Sequence, residues 1–373
     1  MHTIAVTGTN GKTTSTHLIR HICDSVGLSC GIVGTLGTYG KDGDRITHLK
    51  GLSAKLRYFE KQGCQVAVFE AYSRCLRKGY WKNQKFDAGV FTNLTEDHLN
   101  IHGTMEQYAD DKGKLFPLCA FAVANLDDPW MDRVTASAEN VFTFSTKDHS
   151  ADLYADNIVL SEDGVRFTAV WDMYHVDVVY HVPGMFSVYN ALTAIACVMQ
   201  IGVSLSVAAK ALATAPNVKG RAEKVETGSD FSIYIDFAHT PDGMEQICKT
   251  MRQIAKHRLV VVFGCGGNRE RAKRPQMASA AAKYADYVVI TSDNPRMENP
   301  MHIIDDIIPG IHNTETAYKV IPDRREAIRH VIETHLSGDV IVICGKGHEV
   351  TQTVGRRAVP FDEREIIRSI NLQ

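Results

Sequence analysis

Thr7-Gly8-Thr9-Asn10-Gly11-Lys12-Thr13-Thr14 stands between the apolar run Ile4-Ala5-Val6 and a helical pattern, Ser15 to Val26. A strand, a glycine loop, a Lys-Thr pair and a helix form a cradle for a nucleotide phosphate chain. Gly8 and Gly11 let backbone N–H groups approach phosphate oxygens, and the helix N-terminus adds positive potential. Lys12 is expected to bridge the β- and γ-phosphates, and Thr13 to reach Mg²⁺. The loop departs from the usual P-loop, which carries a glycine five residues before the Gly-Lys pair. Val6 stands there. A strand-to-helix turn that needs only glycine would not account for Lys-Thr-Thr at the helix start.

Other reactive groups cluster after apolar runs. Glu70 closes Val66–Glu70, and a carboxylate at the C-terminal end of a parallel strand faces the ligand crevice. Its role there is to hold Mg²⁺ or to form a structural salt bridge; both readings stay open. Thr92-Asn93-Leu94-Thr95-Glu96-Asp97-His98 follows another run, and metal-compatible groups around His98 beside a phosphate loop favour function over helix capping. Periodicity alone makes Lys112 an ordinary surface lysine. In the second half, Asp236 and His239 follow a strand, Gly264-Cys265-Gly266-Gly267-Asn268-Arg269 follows the next, and Asp293-Asn294-Pro295-Arg296 and Gly345-Lys346-Gly347-His348-Glu349 follow two more. Loops at one edge of a parallel sheet converge on one crevice. Arg269 and Arg296 there could grip a carboxylate through paired N–H donors.

These residues need an α/β frame. Ile4–Thr7, Val66–Glu70, Ala88–Thr92 and Phe121–Asn125 read as buried strands, and Ser53–Gly63 and Met105–Leu115 as helices. That alternation implies a parallel sheet covered on both faces. Leu153 to Val182 changes to period-two strands with turns at Asp163-Gly164 and near Asp172, an antiparallel appendage. Helices follow at Ser187–Gln200 and Ser206–Ala213. Ala215 to Gly220 is the best boundary, giving domains 1–217 and 218–373. The second repeats the alternation, with strands at Ser232–Asp236, Leu259–Phe263, Tyr287–Thr291 and Val340–Cys344. The expected class is therefore a P-loop-type parallel-sheet ATPase domain followed by a Rossmann-like α/β domain.

With 373 residues, 44% of them hydrophobic, the chain can bury two cores. A net charge of −2 argues against nucleic acid or membrane as partner. The one basic run, Arg269 to Arg274, is of a kind usually found as solvated surface. Nine scattered cysteines without a Cys-x-x-Cys pair suit free thiols in a reducing cytoplasm. No signal peptide opens the chain and no apolar stretch is long enough to span a bilayer.

Taken together, these segments resemble the Mur ligase family, in its tripeptide-synthetase branch, over nearly the whole chain. Gly8-Thr9-Asn10-Gly11-Lys12-Thr13-Thr14 looks like that family's ATP loop, which lacks the same early glycine, and Thr92 through His102-Gly103 like its metal-binding segment. The resemblance makes Lys112, in a Tyr-x-x-x-Lys setting, the lysine that is carbamylated to hold a second Mg²⁺. It makes Asn190 an adenine contact, puts Arg221 near phosphate, and assigns Asp236 and His239 to the ATP site. Asp293-Asn294-Pro295-Arg296 is the variant associated with meso-diaminopimelate. By the same resemblance Arg269, Asp293, Asn294, Arg296, Gly345 and Glu349 bind the distal end of that amino acid, Arg for carboxylate and Glu349 for ammonium.

The chain departs from the family pattern on the acceptor side. The uridine-nucleotide-binding N-terminal domain has no counterpart, the Thr-Thr-Pro acceptor motif is missing near His48-Leu49-Lys50, and Ala71-Tyr72-Ser73-Arg74 stands where the family has Val-Ser-Ser-His. The expectation is an ATP- and Mg²⁺-dependent ligase that makes an amide through an acyl phosphate, with Lys12, Lys112, His98 and Glu70 as its catalytic groups. Its acceptor is expected to differ from the standard UDP-muramoyl dipeptide. Two alternatives stand beside it: a tripeptide synthetase completed by a partner chain or homo-oligomer, and an ATP-binding, carboxylate-activating subunit.

Overall fold

The computed structural model describes residues 1–370. The chain divides into two compact units, the first Met1–Pro216 and the second beginning at Asn217.

The first unit runs β1 (His2–Thr7), α1 (Lys12–Ser25), β2 (Cys30–Gly34), β3 (Gly37–Tyr39), α2 (Leu52–Lys61), β4 (Val66–Glu70), α3 (Ser73–Arg77), β5 (Phe86–Phe91), α4 (Leu99–His102), α5 (Met105–Gly113), β6 (Cys119–Asn125), α6 (Met131–Thr135) and β7 (Val141–Ser145). It continues with β8 (Leu153–Ser161), β9 (Gly164–Trp171), β10 (Tyr174–Tyr180), α7 (Met185–Met199) and α8 (Leu205–Leu212). Its strands form one sheet in the order β10-β9-β8-β7-β6-β5-β1-β4-β2-β3. From β2 to β8 the pairs are parallel, and β3, β9 and β10 add antiparallel edges. The expected appendage is thus a continuation of the same sheet, with turns where the sequence put them. β1, β4 and β5 lie side by side, so the loops after Thr7, Glu70 and Phe91 leave the same edge.

Several boundaries shift by a residue or more, and two of the shifts bear on the site. α1 begins at Lys12 rather than Ser15, because Gly11 (φ 83°) takes the left-handed cap conformation. Lys12, Thr13 and Thr14 therefore belong to the first helical turn, whose N–H groups have no partner within the helix. β5 ends at Phe91; Thr92 N still donates to Thr7 O at 3.0 Å, while its side chain serves the glycine loop. The core on one face gathers Phe69, Phe86, Phe91, Tyr108 and Phe116 from strands and helices, all buried.

The second unit runs β11 (Glu223–Val225), β12 (Ser232–Asp236), α9 (Pro241–Ile254), β13 (Leu259–Phe263), α10 (Lys273–Ala282), β14 (Tyr287–Ile290), α11 (Pro300–Ile307), β15 (Ala317–Val320), α12 (Arg324–Glu333), β16 (Val340–Cys344), β17 (Thr351–Val354), β18 (Arg357–Pro360) and α13 (Glu363–Ser369). The six-stranded sheet has the order β11-β12-β16-β13-β14-β15. Every pair in it is parallel except β11–β12. Asp236, Gly345, Gly264 and Thr291 thus follow four adjacent strands on one edge. The small hairpin β17–β18 was not expected from the sequence; its strands are four residues each and mostly exposed, too short for an apolar alternation to reveal them.

Candidate active site

The glycine loop is built on close backbone approach. A Cβ on Gly8 (φ 148°) would sit 1.9 Å from Thr92 Oγ1, and one on Gly11 2.6 Å from Asn190 Oδ1. The loop after β5 braces it: Thr92 Oγ1 donates to Asn10 O at 2.7 Å, Asn10 N donates to Asn93 Oδ1 at 2.8 Å, and Thr9 N donates to Asn93 O at 2.9 Å. Asn190, on α7, accepts from Ser15 Oγ at 3.3 Å, which seats it against the first turns of α1. Lys12 folds back, its Nζ donating to Gly8 O and Thr9 O at 2.8 and 2.7 Å.

Buried Glu70 meets the loop at Thr13, whose Oγ1 donates to Glu70 Oε1 at 2.9 Å. Thr35, in the turn between β2 and β3, gives two more bonds to Glu70, from N to Oε1 at 2.7 Å and from Oγ1 to Oε2 at 2.8 Å. A hydroxyl and a carboxylate make an oxygen donor set of the kind Mg²⁺ prefers, so these residues fit the ion. His98 lies farther out. It is a left-handed residue (φ 59°) with its side chain 41% exposed, and its Nε2 is 3.4 Å from Asp97 Oδ2. Among the described residues, no group of three or more His, Cys, Asp or Glu side chains could by itself hold a metal.

Lys112 is not the surface residue that periodicity suggests. It is buried on α5, donates from Nζ to Gly8 O at 2.7 Å and lies over the Tyr108 ring at 4.5 Å. Burial first, and the nearby Lys12 second, push its ammonium well below the ordinary lysine value. Neighbouring His102 is turned inward, away from a metal role. Its Nδ1 lies 2.7 Å from Asp111 Oδ2 and its Nε2 3.0 Å from Ser73 Oγ, with the ring stacked on Tyr108. Nothing in the sequence joined Thr35 and Asp111 to this neighbourhood, and Ser73 was marked only as a departure from the family pattern. Only the sheet order, with β2 beside β4, and the packing of α3 on α5 bring them in.

In the second unit, Asp236 accepts from the N–H groups of Ala222 and Ala238, both at 2.6 Å, and burial raises its pKa despite Arg221. Arg221 stacks on Phe237 at 4.6 Å, and Phe237 also touches the rings of His239 and His348. Along the same edge, Asn294 Nδ2 donates to Glu349 Oε2 at 2.8 Å, and fully buried Lys346 reaches that oxygen at 3.0 Å. Burial opposes ionisation of Glu349, but the Asn294 amide and the Lys346 ammonium outweigh it and hold the carboxyl below its usual range. Asp293 is buried with Oδ1 lacking a hydrogen bond, and Gly345 packs against its carboxylate: a Cβ there would stand 3.6 Å from Oδ2. Arg269 is exposed and Arg296 half-buried, and the two flank Gly266: a Cβ there would lie 2.8 Å from Arg296 Nη1 and 3.5 Å from Arg269 Cγ. Burial first, then Arg269, lowers the pKa of Arg296. Two arginines whose charges act on one another across Gly266 suit an anionic guest.

Comparison with known proteins gives the family. Residues 6–198 match the Mur ligase middle domain, and residues 220–347 the Mur ligase glutamate ligase domain. The UDP-N-acetylmuramoyl-L-alanyl-D-glutamate--2,6-diaminopimelate ligase of Geobacillus thermodenitrificans is 40% identical over 99% of this chain and 78% of its own length. The enzyme of that name from Caldanaerobacter subterraneus is 42% identical over 98% and 77%. A solved structure of such a ligase superimposes with a TM-score of 0.70 at 35% identity, covering 99% of this chain and 78% of the other. Folylpolyglutamate synthase of Mycobacterium tuberculosis shares the fold at 18% identity, with a TM-score of 0.73 over 92% and 88% of the two chains. The relatives so named give no support to the expectation of a non-standard acceptor. The chain belongs to the Mur ligase family, whose members use ATP to form amide bonds with release of ADP.

Proposed function

We propose that this ligase joins 2,6-diaminopimelate to the glutamyl carboxylate of UDP-N-acetylmuramoyl-L-alanyl-D-glutamate, at the cost of one ATP. The observation that carries the reading is the set of charges after β13, β14 and β16. The Arg269–Arg296 pair suits a second carboxylate, and Glu349 with Asp293, whose Oδ1 accepts no hydrogen bond and has only the Lys346 ammonium at 3.8 Å, suits a second ammonium. An amino acid with both groups at its far end satisfies each of them; lysine would leave the arginine pair facing no anion.

In this reading the N–H groups of Gly8 to Thr14 and the Lys12 ammonium bind the phosphates of ATP, and Asn190 takes the adenine. Thr13, Glu70, His98 and a carbamate on Lys112 would hold Mg²⁺, which supplies charge neutralisation at the transferring phosphoryl group. Burial disfavours the Lys112 ammonium and so favours the free electron pair that attack on CO₂ requires. The acceptor carboxylate oxygen takes the γ-phosphoryl group, giving an acyl phosphate and ADP. The deprotonated amine of the incoming amino acid then bonds to the acyl carbon, and phosphate leaves. Arg221, Asp236 and His239 are the nucleotide-binding groups proposed for the second unit.

The test is phosphate release from ATP with the UDP-muramoyl dipeptide as acceptor and a panel of amino acids. Turnover that rises with diaminopimelate and far less with lysine is expected. Turnover indifferent to every amino acid would sink the reading.

A further inference from the structure

Arg274 belongs to a basic run that the sequence presents as solvated surface, yet it is fully buried. It lies in the first turn of α10, with its guanidinium turned to two carboxylates and a backbone carbonyl of neighbouring elements. Its Nη1 donates to Asp306 Oδ2 at 2.7 Å, and its Nη2 to Glu298 at 2.9 and 3.1 Å and to Gly266 O at 3.4 Å. One guanidinium thus holds the glycine turn after β13, the loop after β14 and the helix α11.

Those are the two loops that carry Arg269 and Arg296, and they are laced together directly above it. Glu298 also accepts from the backbone N–H of Asn268. Arg296 Nη1 donates to Gly267 O at 2.7 Å, Gly267 N to Asn294 O at 2.9 Å, and Met297 N to Asn268 Oδ1 at 3.1 Å. The backbones touch so closely that a Cβ on Gly267 would come within 1.9 Å of Pro295 O. Asn268 and Arg296 both hold left-handed backbones, φ 54° and 51°, which the lacing must maintain. The lacing also works against repulsion, since it brings two guanidiniums of like charge together on loops from different strands.

We propose that Arg274 is a positioning residue for amino-acid recognition: through Glu298 and Gly266 it fixes the spacing of Arg269 and Arg296, and so sets the preference for a substrate with a distal carboxylate. The inference rests on the function proposed above. Arginine is required because three acceptors in different directions need a planar fork; a lysine ammonium in the same place reaches fewer of them.

The experiment compares Arg274→Lys, Glu298→Gln and Arg296→Lys in steady-state ATP turnover with the UDP-muramoyl dipeptide, diaminopimelate and lysine. For Arg274→Lys the KM for diaminopimelate should rise about tenfold or more, as sub-ångström misplacement does at other preorganised sites. The KM for ATP should stay at the wild-type value, kcat should change little, and the preference for diaminopimelate over lysine should fall. Glu298→Gln, at a partly exposed position, should move the same parameters the same way by less, and it decides the matter if Arg274→Lys does not fold. A uniform loss in kcat and in every KM, or an unchanged KM for diaminopimelate in both variants, overturns the inference. If Arg296→Lys also leaves that KM unchanged, the fault lies with the proposed substrate. If Arg296→Lys raises it while Arg274→Lys and Glu298→Gln do not, only the positioning role of Arg274 fails.

Discussion

Gly8→Ala tests whether the phosphate loop is held by Thr92. The added Cβ would lie 1.9 Å from Thr92 Oγ1 and 3.1 Å from Asn93 O. Ordinary contact needs about 3.4 Å or more, so Thr92 must rotate away and give up its 2.7 Å bond to Asn10 O. Overpacking of this kind costs about 1–3 kcal/mol, and the lost hydrogen bond about 1 kcal/mol. The sum, roughly 2–4 kcal/mol, corresponds to a drop on the order of 10 °C in the melting of a unit this size. Thr92→Ala alone should cost about 1–2 kcal/mol. In the double variant the 1.9 Å clash is gone and contacts near 3.1 Å remain, with the left-handed backbone strain of residue 8. The double variant should therefore be more stable than the sum of the singles by about 1 kcal/mol or more. Thermal melts and urea titrations of the four proteins measure this directly. Strictly additive costs would show that Thr92 does not set the loop, and the bracing argument would fall. The KM for ATP should follow the same ranking.

Other perturbations read other parts of the site. Thr13→Val removes the hydroxyl that donates to Glu70 Oε1; kcat should collapse, stability should fall by about 1.5–3 kcal/mol for a hydrogen bond to a charged group, and Thr13→Ser should restore most of both. Lys112 has a depressed pKa in the folded state. The unfolded chain therefore binds more protons between the folded pKa and the ordinary lysine value, and stability rises with pH across that window. Lys112→Met should be inactive and, in CO₂-free buffer, should lose that rise; equal pH slopes for the two proteins would refute the assignment. Asp236→Asn keeps one oxygen acceptor but turns an amide NH2 toward the other of the Ala222 and Ala238 N–H groups, which bond to Oδ2 and Oδ1 respectively. It should lose about 1–3 kcal/mol of stability for the donor left facing a donor and, in the protein that remains folded, raise the KM for ATP; an unchanged KM would remove Asp236 from the nucleotide site.

Much of this site was legible because its chemistry sits at the ends of strands. Val66–Glu70, Ser232–Asp236, Leu259–Phe263 and Val340–Cys344 are continuous apolar runs, so both their extent and the polar residue that ends or follows each one stand out. What periodicity could not give was burial of charge. Lys112 and Arg274 lie in polar stretches of α5 and α10 and read as solvated, yet both are inside. Each is inside because acceptors brought in by other elements are there to receive it: Gly8 O for Lys112, and the Asp306 and Glu298 carboxylates with Gly266 O for Arg274. Likewise β2, short and flanked by glycines, has too little β-branched character to show as a strand, and Thr35 was missed with it.

These misses share a cause that bears on how the ligase works. A buried cation is costly unless acceptors already surround it, so its place is decided by loops far away in sequence. In this chain those loops are the ones that line the site. Lys112 is tied to the phosphate loop, Arg274 to the turns bearing Arg269 and Arg296, and buried Arg324 to Cys344 O, with its Nη1 also directed at Ser292 O at 3.5 Å. Ser292 and Cys344 immediately precede Asp293 and Gly345. Inward-pointing arginines thus hold the backbone from which the outward-pointing groups project. Recognition here depends on loop spacing as much as on the side chains that would touch substrate.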